Sequence, residues 1–121
     1  MQNRYQELNK TDKKIVRDLI AKGIKEEFRR GMENFHSLLA KWRAEDDNHQ
    51  EHYATLYAEI RDFNKHIARQ YDDMRGSHIV STLEYQLTYN VVDLSELDAL
   101  SPAVKDDLLR TVKLRRSHHN E

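Results

Sequence analysis

From Asp47 to Arg75 the apolar residues Tyr53, Leu56, Tyr57, Ile60, Phe63, Ile67, Tyr71 and Met74 recur at steps of three and four. Projected at 100° per residue they fall in one stripe of roughly 140°, the pattern of a single amphipathic helix. Asp46, Asp47 and Glu51 stand where the positive end of a helix dipole favours acids, and Arg69 and Arg75 where its negative end favours bases. Gly76 supplies a stop. Such a helix would be about 42 Å long at 1.5 Å per residue. A compact chain of this size is only about 35 Å across. The rest of the chain must therefore arrange itself along one long central helix, in an elongated antiparallel bundle or a dimer.

Composition supports that reading. Apolar residues make up 38% and charged residues 34% of the 121, a lean supply of core that suits amphipathic helices with wide solvated faces. Three glycines and one proline leave little turn chemistry for a sheet protein. No apolar run reaches the length of a transmembrane helix, and the first ten residues carry no hydrophobic segment of the kind a signal peptide needs. The absence of cysteine excludes disulfides and thiolate metal sites and is compatible with a cytoplasmic setting. Charge alternates in blocks: residues 1–45 hold 11 bases against 7 acids, 46–76 hold 4 against 7, 77–100 none against 4, and 101–121 5 against 3. Blocks of opposite sign suit antiparallel helices, or subunits, meeting one another. A nucleic-acid binder is more usually basic overall.

Along the chain, residues 1–10 read as a loose lead-in and Thr11 as an N-cap. Ile15, Val16, Leu19 and Ile20 share one face; Ile24, Phe28, Met32, Phe35, Leu38, Leu39 and Trp42 share another, roughly 130° away on a continuous helix. With Gly23 at the junction, the phase change predicts a short helix over 12–22, a kink, and a second helix over 24–44. Glu45 to Gln50 is the turn into the long helix. Residues 82–91 alternate strictly, which is a strand signal, yet no other segment of the chain offers a partner strand. A helix over 79–92 is the preferred reading, and a strand paired with a second subunit is the alternative. Leu94, Leu97 and Leu100 mark a short helix. Ser101-Pro102 pairs an N-cap with proline at the first helical position and starts a helix that fades near Arg115. The whole is expected to be one all-α domain of five to six helices, with 117–121 a polar tail.

Three groups of residues invite a function. Glu33-x-x-His36 has the spacing of di-iron carboxylate bundles, and His49-x-x-His52 could hold a metal with a nearby acid, though neither motif completes a ligand set. Solvated side chains explain the same residues, so no metal or other cofactor is expected. The hexapeptide Arg61-Asp62-Phe63-Asn64-Lys65-His66 resembles the Arg-polar-x-x-x-His motif of HEPN-type ribonucleases, small helical bundles that dimerise to form an RNA-cutting cleft. That resemblance implies His66 as general base on a ribose hydroxyl, Arg61 as the stabiliser of phosphorane charge and Asp62 orienting the imidazole. The third group is Tyr85, Tyr89 and Val92, on the side of the 79–92 helix opposite Ile79, Val80, Leu83 and Leu87. An apolar patch of this kind marks an interface, and tyrosine is favoured in interfaces. The leading expectation is a non-enzymatic structural or protein-interaction module that forms a homodimer through this patch, with neither nucleic acid nor membrane as a partner.

Overall fold

The computed structural model describes residues 4–119. Among these, 83% are helical and none is in a strand. The elements are α1 (Lys10–Glu45), α2 (His49–Tyr71), α3 (Gly76–Thr88), a 3₁₀ helix (Leu94–Ala99) and α4 (Pro102–His119). The all-α expectation holds, and residues 82–91 lie in α3 and the turn after it. The chain divides into two compact units, Glu26–Asp72 and the segments on either side of it. Residues 1–3, in the expected lead-in, and 120–121, in the expected tail, lie outside the described residues.

The longest helix is α1, not the segment from Asp47 to Arg75. With 36 residues α1 measures about 54 Å, whereas the 23 residues of α2 give about 34 Å. Acids at its C-terminal end explain why α2 stops short. Asp72 and Asp73 oppose the helix dipole there. Asp73 instead takes Arg75 in a paired contact at 2.9 and 3.0 Å, so Gly76 opens α3 rather than closing α2.

No kink occurs at Gly23; α1 runs through it without interruption. Each of the two apolar stripes has its own partner. Val16, Leu19 and Ile20 enter the core of the first unit with Leu83 and Leu87 of α3, Leu97 of the 3₁₀ helix, and Leu108 and Val112 of α4. Phe28 and Phe35 meet Phe63 of α2 edge-on, at 5.4 and 5.7 Å between ring centres. A change of partner, not a break in the helix, causes the phase change. Gly23 is there because Gln86 and Val92 press against it: a Cβ would lie 2.3 Å from Gln86 Nε2 and 2.9 Å from Val92 Cγ2.

Helix ends in the first unit are tied together by side chains. Asn9, not Thr11, caps α1: its Oδ1 accepts from the Asp12 amide at 2.7 Å. Asp12 is buried and accepts from the amide of Ser101, the residue before α4, at 3.1 Å. The α3 helix stops at Thr88 rather than Val92, because Asn90 takes a left-handed conformation (φ 60°). The Val91 amide then reaches Gln86 O at 2.8 Å and the Asn90 amide Leu87 O at 3.3 Å, a Schellman closure built on asparagine. Arg116 of α4 donates to Leu87 O and Asn90 Oδ1, both at 2.8 Å. Within the lead-in, Tyr5 and Leu8 pack on the core, and Arg4 makes a two-bond contact with Glu84, which is only 1% exposed.

Candidate functional site

The second unit is a hairpin of two helices. Its levels are fixed by contacts from α1 to α2: Glu27 to His66, Gly31 beneath Phe63, Asn34 to Glu59, and Trp42 to His49. Position numbers rise on one helix as they fall on the other, so the pair is antiparallel. Asp46 (φ 51°) and Asn48 (φ 54°) make the turn between them, both residue types that tolerate the left-handed region. Asn48 and His52 both hydrogen-bond Glu45 across this turn. The His52 bond and then the Asn48 bond hold the Glu45 carboxyl below its ordinary range.

Large apolar side chains stand uncovered along one side of this hairpin. Phe28 (46% exposed), Met32 (65%) and Leu39 (47%) come from α1; Tyr53 (69%), Tyr57 (57%) and Ile60 (38%) come from α2. In each helix these residues lie about 100° around the axis from the residues that pair the two helices, in the same rotational sense. Because the helices are antiparallel, the same rotation brings both bands to the same side. Taking whole-residue surfaces of roughly 200–250 Å², the six expose about 700 Å², more than the largest patch on an ordinary monomer. Towards the tip the patch deepens into a pocket of about 210 Å³ between Leu38, Leu39, Trp42, His49, His52, Tyr53 and Leu56.

The expected interface is arranged differently. Val92 is buried at 3%, because the turn at Asn90 folds the chain back and lays its side chain against Gly23. Tyr85 is half-buried with its ring 5.3 Å from that of Tyr89, which is 46% exposed. These three residues do not form one apolar surface. The roughly 140° stripe on α2 records which side of the helix is apolar, but not whether another part of the chain covers it.

The ribonuclease constellation is not assembled. Arg61 is exposed and lies 3.6 Å from Asp62. The His66 ring is held by Glu27 of α1, at 2.8 Å, in place of Asp62. Five residues along a helix turn a side chain by about 140°, so Arg61 and His66 diverge. Glu27 is 8% exposed and also accepts from the buried Tyr71 hydroxyl. Sequence reading missed this Glu27–His66–Tyr71 group because its members meet only across the hairpin.

The metal candidates are likewise dispersed. His49 Nδ1 accepts from the Trp42 indole at 2.8 Å, His52 bonds Glu45, and Glu33 and His36 are exposed on α1. Among the described residues no three His, Asp or Glu side chains gather as a metal would require. Of the basic residues on α1, Lys14 is paired with Asp18 and Arg29 with Glu26, each at 2.8 Å. Among the described residues no helix is long and apolar enough to cross a membrane. Comparison with protein-family models, with curated proteins and with solved structures gives no match.

Proposed function

We propose that this chain is a non-enzymatic helical module that self-associates, and that its subunits meet through the apolar side of the 26–72 hairpin. One observation carries the reading: six large hydrophobic side chains are exposed along a single side of two helices. Two helices can bury only the faces they turn to each other, and a second layer is what ordinarily covers the rest. An identical hairpin supplies a layer of matching length and pattern, and a two-fold pair is the commonest closed assembly. The exposed area approaches the ≈800 Å² per partner of a standard interface. We further infer a cytoplasmic setting, with which a cysteine-free chain is compatible.

Light scattering at tens of micromolar tests the reading. The wild type is expected to have the mass of a dimer, and the Tyr53→Glu, Tyr57→Glu variant that of a monomer with an unchanged far-ultraviolet circular dichroism spectrum. Both tyrosines are more than half exposed, so the change leaves the subunit fold intact. A monomeric wild type would refute the proposal.

A further inference from the structure

We propose that two hairpins stack tip to root about a two-fold axis crossing the apolar side near Ile60, closing an antiparallel four-helix bundle. The inference rests on the self-association reading and names the arrangement it takes. Three observations converge on it.

The first is where the patch is centred. Contacts across the hairpin set Glu59 level with Asn34 and Phe63 level with Gly31. On that scale the α1 band from Phe28 to Leu39 lies level with α2 residues from about 65 to about 54. With the α2 band from Tyr53 to Ile60, the patch as a whole spans about 53 to 65 and has its midpoint beside Ile60. A two-fold contact that covers the whole patch must have its axis there.

The second is charge along α2. Its first half, residues 49–60, holds two acids, Glu51 and Glu59, and no lysine or arginine, a net −2. Its second half, residues 61–71, holds Arg61, Lys65 and Arg69 against Asp62, a net +2. Antiparallel pairing of α2 with its own copy sets each half against its opposite, at both ends of the interface.

The third is the tip. Residues 41–51 hold Lys41 and Arg43 against Glu45, Asp46, Asp47 and Glu51, a net −2. The other two-fold stacking, with both tips at one end, would press two acidic tips together. Tip-to-root stacking separates them. It also sets Phe28 of each copy at the level of the other copy's Leu39, beside the tip pocket. An aromatic ring that is 46% exposed and a pocket of about 210 Å³ match as anchor and socket.

The native chain has no cysteine, so single cysteines report the arrangement without background. Ile60→Cys, next to its own copy across the axis, is expected to give a covalent dimer under mild oxidation. Met32→Cys, at nearly the same level on α1, is a second reporter should the first variant fail to fold. Tyr53→Cys lies seven residues from the axis and about 21 Å from its copy, well beyond disulfide reach, and should stay unlinked. Phe28→Ala should raise the dimer dissociation constant at least tenfold. A dimeric wild type whose Ile60 and Met32 reporters both stay unlinked, or whose Tyr53 reporter links as readily, would overturn the arrangement and leave self-association standing. A monomeric wild type would overturn both.

Discussion

Alanine at Gly23 is the sharpest test of how α1 is built. In an exposed helix the exchange stabilises by about 1 kcal/mol, because glycine loses more backbone freedom on folding. Here the new methyl would sit 2.3 Å from Gln86 Nε2, 2.6 Å from its Cδ and 2.9 Å from Val92 Cγ2. Gln86 is fully buried, and its amide donates to Ile20 O at 3.0 Å. Moving that amide forfeits a buried hydrogen bond, about 1–3 kcal/mol. Crowding Val92 costs a further 1–3 kcal/mol or so. After the propensity gain, Gly23→Ala should destabilise by about 3 kcal/mol. At this chain length that lowers Tm by roughly 10 °C, measured by circular dichroism, with urea unfolding as a cross-check. If Gly23 served instead as a hinge or breaker, alanine would raise Tm. A variant as stable as the wild type or more so would refute the close-packing account.

Three further outcomes are expected. Glu27→Ala removes the acceptor shared by His66 and the buried Tyr71 hydroxyl and should cost about 2 kcal/mol or more in urea unfolding; an unchanged midpoint would show that the group contributes nothing. Hydrogen bonds from Arg29 and then Arg30 hold the Glu26 carboxyl down to about 2. Its folded pKa is thus below the ordinary 4.5, so its contribution is complete above about pH 4.5 and lost as pH falls to about 2. The Tm gap between wild type and Glu26→Gln should close across that window, and a gap that widened on acidification would contradict the sign. Purified protein should leave single-stranded RNA intact; metal-independent cleavage that His66→Ala abolishes would restore the ribonuclease reading.

Much of the architecture was legible in the residues. Periodicity determined that the chain is helical, and Ser101-Pro102 marked the start of α4, because a cap and a proline at the first turn act locally. The alternating run over 82–91 belongs to a helix because both of its sides are covered: Leu83 and Leu87 enter the core, while Glu84 meets Arg4 and Gln86 meets α1. Tertiary structure decided the rest. Whether Gly23 breaks α1 or admits Gln86 depends on a side chain 63 positions away. Val92 is buried because Asn90 takes the left-handed turn and α4 secures it through Arg116, which no local pattern encodes. His66 meets Glu27 and not Asp62 because α1 passes beside it. The exposure of Tyr53, Tyr57 and Ile60 could not be read from their spacing. A hydrophobic period records which side of a helix is apolar; only packing determines whether anything in the same chain covers it.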